Sequence, residues 1–295
     1  MSTLDALDLR DGYADLGDVR LHYVEAGEGP LVLLLHGFPE FWYGWHNQIP
    51  ALADAGFRVV APDLRGYNLS ERPEGVGAYD VDRLATDVRD LVRERGAERA
   101  LIAGHDWGAI VAWWVAMRHP EVVDRLAILN VPHPRRMLEG LRTPRQLRRS
   151  WYVFFFQLPF VPERLLGARH ARGLRDVLQR SANPGSFSEE DLDRYAEAWA
   201  RPGAITAMLN WYRAAMRRGP RATLRRIRPI AAPTVVIWGE QDIALGAELA
   251  EPRAEDVPGL EAVVRLPEAS HFVQHDAPAK VNAVLTAFFR GEPVS

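Results

Sequence analysis

The chain of 295 residues has no cysteine, which excludes disulfides, thiolate metal sites and a cysteine nucleophile. Long apolar runs are missing too. The most aromatic stretch, 151–161, is interrupted by Gln157 and Pro159 and falls well short of the roughly 20 residues a membrane span needs. The opening segment MSTLDALDLRDGY carries acids and no apolar centre, so it does not read as a secretory signal. Nor does one charge dominate: the formal net charge is −3. That balance gives no electrostatic reason to expect nucleic acid or a membrane as partner. Basic residues crowd locally in Arg135–Arg149 and Arg217–Arg228, where solvated helix faces are expected. Neither His-Glu-x-x-His nor Gly-x-Gly-x-x-Gly occurs, so no metal or organic cofactor is expected. A soluble cytoplasmic protein is the expectation; oligomeric state is left open.

What is present is an alternation. Val19–Glu25 alternates apolar and polar like a half-exposed strand, and Leu31–Leu35 is a fully apolar run suited to a buried parallel strand. Arg58–Ala61, Ala100–Ala103 and Leu126–Asn130 repeat the theme, and helical periodicity separates them, as in Asp80–Arg95 with Asp80 as its cap. This predicts a mostly parallel sheet covered by helices. From about Pro132 to Arg228 strand-like runs vanish, and aromatics, helical spacing and prolines take over. A helical cap over 132–228 is expected, inserted after the sixth strand into a core of 1–131 and 229–295. Sheet pattern returns at Thr234–Trp238 and Ala262–Leu266, with a closing helix over Ala277–Arg290.

Between a strand and a helix lies Gly104-His105-Asp106-Trp107-Gly108. The form Gly-x-nucleophile-x-Gly serves a strained strand-to-helix turn in which glycines relieve crowding around the central residue. The following helix N-terminus favours an anion there. Ala109, Ala112 and Ala116 keep that helix slim. Asp106 takes the place usually held by serine, with a chemical consequence. A carboxylate is ionised at pH 7 without a base, and it suits displacement at saturated carbon with a strained or good leaving group. His36-Gly37-Phe38-Pro39-Glu40 follows a buried strand, so Phe38 and Trp107 amides are candidates for an oxyanion hole. Asp242 and His271 each follow a later strand, giving the order nucleophile, acid, histidine. His275, Glu240 and His105 compete for these roles and fit less well.

Together these segments resemble the α/β-hydrolase-fold epoxide hydrolases of the soluble and bacterial kind. The resemblance is carried by HGFPEFWYGWHNQIP (36–50), APDLRGYNLS (61–70), GHDWG (104–108) and the Asp242 and His271 segments. It implies an α/β-hydrolase fold and conversion of epoxides to vicinal diols through an ester on Asp106, hydrolysed by water that His271 and Asp242 activate. It further implies two cap tyrosines on the epoxide oxygen. Tyr152, in YVFFFQLP, and Tyr212, in NWYR, stand in matching context. A phenol can protonate the departing alkoxide, and such acid help is worth about 10²–10⁴ in rate. His36, Pro39 and Trp211 are expected to border the substrate. The aromatic cap, with Trp151, Phe154, Phe155, Phe156, Phe160 and Trp211, points to a mostly apolar epoxide with water as co-substrate.

Two rival readings compete. A dehalogenase would share the Asp nucleophile, but haloalkane dehalogenases favour Asn where Phe38 stands, and fluoroacetate dehalogenases carry Arg where Trp107 stands. A non-catalytic receptor on the same scaffold has no need of Asp106, Asp242 and His271 together.

Overall fold

The computed structural model describes residues 7–294, so the first six residues of the opening segment that was not expected to be a secretory signal lie outside it. Eight strands form one sheet: β1 (Arg10–Asp15), β2 (Arg20–Ala26), β3 (Leu31–Leu35), β4 (Arg58–Pro62), β5 (Ala100–His105), β6 (Val123–Leu129), β7 (Thr234–Gly239) and β8 (Leu260–Leu266). Their spatial order is β1-β2-β4-β3-β5-β6-β7-β8. Pairs β1–β2 and β2–β4 are antiparallel and all the others parallel, which makes the mostly parallel sheet that the alternation predicted. The edge strand β1, sequence RDGYAD, escaped the sequence reading. It is polar and largely exposed, so it carries no apolar pattern to detect.

The central strands are buried on both faces, and their alternation sorts residues into two cores. Leu31, Leu33, Leu35, Ile102 and Trp238 pack toward α2 (Val81–Glu94) and α3 (Trp107–Arg118). Val32, Leu34, Ala103 and Ile237 pack toward α1 (Gln48–Asp54) and the closing helix over Pro278–Phe289. Helix α2 begins where the cap residue predicted: the Asp80 side chain accepts from the Asp82 amide, and Leu84, Val88, Leu91 and Val92 are buried. Each such buried side chain contributes roughly 1.5–3 kcal/mol.

Between β6 and β7 the described chain holds helices and no strand. These are α4 (Pro134–Gly140), α5 (Pro144–Arg149), α6 (Trp151–Phe155), α7 (Val161–Ser181), α8 (Glu189–Trp199) and α9 (Ala204–Arg226). Helix α7 is broken at 168–171. The helical segment grips the sheet framework at defined points. Trp199 Nε1 donates to the Pro39 carbonyl at 2.6 Å, and Trp211 Nε1 to the Arg65 carbonyl at 3.0 Å. Tyr195 donates to Glu40 at 2.9 Å, and Arg218 pairs with Asp80 and Asp82 at the start of α2. After β8 come α10 (Val273–Asp276) and α11 (Pro278–Phe289).

Candidate active site

Asp106 sits between β5 and α3 with φ +47° and ψ −121°, a conformation that costs a non-glycine residue energy and that packing must hold. The glycine after it is a steric necessity. A Cβ on Gly108 would lie 2.1 Å from the Leu35 carbonyl oxygen. The preceding loop makes the same demand, since a Cβ on Gly37 would meet the Asp106 Cβ at 2.3 Å. Close approach then lets the Phe38 amide donate to Asp106 Oδ1 at 2.7 Å. The Trp107 amide opens α3 and has no intrahelical acceptor; among the described residues it makes no such bond to Asp106.

The other carboxylate oxygen, Oδ2, lies 3.5 Å from His271 Nε2. His271 Nδ1–H donates to Asp242 Oδ2 at 2.7 Å. Asp242 is buried and fully engaged. Its Oδ1 accepts from the Ala244 and Leu245 amides at 2.7 and 2.9 Å, and its Oδ2 accepts from Asn130 Nδ2 at 3.1 Å. Burial opposes the charge on Asp242, yet the charge and hydrogen bond of His271 and these donors hold its pKa below the usual carboxylate value. Asp106 behaves alike: burial raises it, and His271, His105 and the Phe38 amide together lower it further. For His271 burial works against the imidazolium, but Asp242 and Asp106 on either side raise it to about 10. The three groups form a line of alternating charge, minus, plus, minus.

Beneath this line lies a second polar layer. His105 Nε2–H donates to the His271 carbonyl at 2.9 Å, and its Nδ1 lies 3.3 Å from Glu40 Oε2. Glu40 Oε1 also meets His275 Nε2 at 2.7 Å. Burial opposes the Glu40 charge, but His275 and His105 hold it ionised. His105 and His275 support the loop from below, and Glu240 pairs with Arg265 at the surface.

Tyr152 and Tyr212 come together across from Asp106, with ring centroids 6.0 Å apart. Tyr212 is wedged between Trp107 at 4.9 Å, Phe38 at 5.4 Å and Phe156 at 4.9 Å. Burial, then the Asp106 charge, pushes both phenols well above the usual tyrosine value, so they stay protonated as donors. The three residues expected to border the substrate differ in kind. Trp211 is buried behind Trp107 at 5.7 Å. Pro39 is buried, with its carbonyl taken by Trp199. His36 accepts from the Leu64 amide at 2.9 Å and donates to the Gly37 carbonyl at 3.0 Å, so both ring nitrogens serve the loop rather than a ligand.

The aromatic cap divides. Phe156 and Trp211 are buried near the phenols, whereas Trp151, Phe154 and Phe160 are exposed and do not line the site. Of the six aromatics behind the expectation of an apolar substrate, these three exposed ones lend it no support. Composition cannot tell the two faces of one helix apart.

A family model described as the α/β-hydrolase fold matches residues 30–278. The AB hydrolase superfamily protein YfhM of Bacillus subtilis is 42% identical, covering 95% of this chain and 98% of its own. Epoxide hydrolase A of Mycobacterium tuberculosis is 36% identical over 94% of this chain and 96% of its own. The chain belongs to the α/β-hydrolase-fold epoxide hydrolases. A crystal structure of the Bacillus megaterium epoxide hydrolase with an inhibitor superposes at a TM-score of 0.86, with 35% identity, 95% of this chain and 100% of that one covered.

Two residues of this epoxide hydrolase family member escaped the sequence reading. Asn130, with φ +49°, bonds Asp242 and exchanges hydrogen bonds with the Gly239 backbone at 2.8 and 3.2 Å. Its signal was present: an Asn closing a parallel strand next to the one that delivers the acid, where such sheets gather their functional groups. Glu40 stood inside the HGFPE motif, but nothing in one sequence places it under His271.

Proposed function

We propose that this enzyme opens epoxides to vicinal diols with Asp106 as nucleophile. We assign 1–131 and 229–295 to the catalytic core, 132–228 to the cap, and the cytoplasm as compartment. The observation that carries the reading is the unequal use of the two Asp106 oxygens. Oδ1 is held by the Phe38 amide, and Oδ2 lies beside His271 without a backbone donor.

Oδ2 attacks an epoxide carbon, the carbon–oxygen bond of the ring breaks, and an alkoxide forms near Tyr152 and Tyr212. The phenols donate to that oxygen. Charge balance then dictates the next step. Before attack, the imidazolium of His271 lies between two carboxylates. Esterification neutralises Asp106, so one of the two anions that raised His271 disappears. Its proton, relayed through the phenols, neutralises the alkoxide and leaves a neutral imidazole facing the ester. That imidazole takes a proton from water as the water oxygen attacks Cγ of Asp106. The Oδ1 oxyanion is stabilised by the Phe38 amide, with Trp107 as second donor; loss of one such donor typically costs about 10²–10³. Breakdown of the tetrahedral carbon expels the diol with Oδ2 and leaves the water oxygen in Asp106. The substrate is a small apolar epoxide, in keeping with Phe38, Trp107 and Phe156 around the phenols.

A single turnover in ¹⁸O-water tests the assignment. Heavy oxygen is expected in the peptide carrying Asp106 and not in the first diol. A diol labelled directly in that turnover would show that water attacks the epoxide itself.

A further inference from the structure

Helix α6 is apolar on both sides. Tyr152, Phe155 and Phe156 turn inward, with Phe156 buried against Tyr212. Trp151 and Phe154, three residues apart, share the opposite face; with Leu158 just beyond the helix they are exposed at 63%, 49% and 47%. A helix apolar all round is normally buried all round. The apolar surface continues into the next turn of chain. Phe160 holds a left-handed backbone, φ +62°, and is 82% exposed, and Val161 and Leu165 follow it into solvent. Packing does not account for a bulky residue held in that conformation with its ring in water.

The charge along this stretch of chain is one-sided. Seven arginines lie between residues 142 and 172, against Glu163 as the sole acid. Glu163 is already taken by Arg213 at 2.7 Å. Among the described residues, none of the seven arginine side chains pairs with a carboxylate, although many other arginines of the chain do. Phe160, Arg164 and Arg217 also border one groove of about 700 Å³, which brings a cationic residue of α9 to the same place.

We propose that the outer face of α6 and the start of α7 dock on an anionic lipid surface, with Trp151, Phe154 and Phe160 entering the headgroup boundary and the flanking arginines on lipid phosphates. Aromatics and arginines on one face of an amphipathic element are what such a boundary takes. Other occupants fit less well. A two-fold pairing with a second copy would set the same unpaired arginines against one another. Nucleic acid would use the arginines and leave Trp151, Phe154 and Leu158 in water. The overall charge of −3, which gave no reason to expect a membrane, averages over a strongly cationic patch. A consequence that rests on the epoxide reading is that the helix carrying Tyr152 lies against the phase where apolar epoxides accumulate.

Sedimentation of the intact protein with vesicles tests this. Pelleting is expected with phosphatidylcholine containing phosphatidylglycerol, with release by added salt and little binding to phosphatidylcholine alone. The variant R145E/R148E/R149E is expected to partition on the order of 100-fold more weakly, and W151S/F160S to weaken binding with the arginines intact. Turnover of a water-soluble epoxide by R145E/R148E/R149E should equal wild type, so a failed reaction and a failed docking are read separately. Wild-type protein left in the supernatant of mixed vesicles, or pelleting equally with neutral ones, overturns the proposal. So does a dimer dissolved by W151S/F160S without vesicle binding, which assigns the face to a second copy. Binding that needs the arginines but ignores W151S/F160S overturns it in favour of a polyanion.

Discussion

The sheet framework and the helical segment position their functional groups by different physics. Asp106, Asp242 and His271 stand on turns at strand ends, and directional bonds orient them: the Phe38, Ala244 and Leu245 amides, Asn130, and His105 beneath. Tyr152 and Tyr212 stand on helices and are held mainly by ring packing, against Phe156, Phe38 and Trp107. A directional bond to a charged group is lost within fractions of an ångström, whereas edge-to-face ring contacts tolerate a range of distances. The framework therefore fixes the chemistry, and the helical segment leaves room for the substrate to be chosen.

The largest effects should break the comparison on the framework side. Asp106→Ala should abolish diol formation. His271→Gln should alkylate once and stop, with mass spectrometry finding a stoichiometric adduct on the Asp106 peptide; continued turnover would remove His271 from the base role. On the helical side, Tyr152→Phe with Tyr212→Phe should slow alkylation by about 10²–10⁴, far more than either change alone, because one phenol can still serve the oxygen. Rapid-quench measurement of the adduct reads this, and near-normal alkylation by the double variant would remove the phenols from the oxygen.

Smaller effects sharpen the contrast. Asn130→Ala removes a hydrogen bond to a buried charge and should slow ester hydrolysis about 10–100-fold while leaving alkylation less affected. Equal slowing of both steps would mean a general loosening instead. The smallest shift to look for is electrostatic. The folded His271 value of about 10 lies above the ordinary 6.5, so its stabilising charge is complete below pH 6.5 and is lost as pH rises through about 10. In Asp106→Asn, which copies the neutral ester, the imidazole midpoint followed by ¹⁵N NMR should fall. An unchanged midpoint would contradict the charge-balance account of how the base is switched on.

Much of this was legible in advance. Buried strands such as Leu31–Leu35 announce themselves by composition, because a strand covered on both faces has no polar positions. The Asp106 turn announces itself by its glycines, because Gly108 admits no Cβ. Edge strand β1 did not, since a polar strand pairs only through its backbone. Asn130 and Glu40 did not, because the partners that give them their place lie far away in sequence, Asp242 for Asn130 and His105 and His275 for Glu40.

Local chemistry lies in the sequence: an ionised nucleophile in a strained turn, its histidine and acid in order, and two tyrosines in recognisable surroundings. Only the folded chain decided which oxygen of Asp106 is held and which is free, which histidine lies in line, and which aromatics face inward. Those are questions of direction. A one-dimensional pattern records spacing along the backbone, while the direction of a side chain is set by what packs against it from elsewhere in the fold.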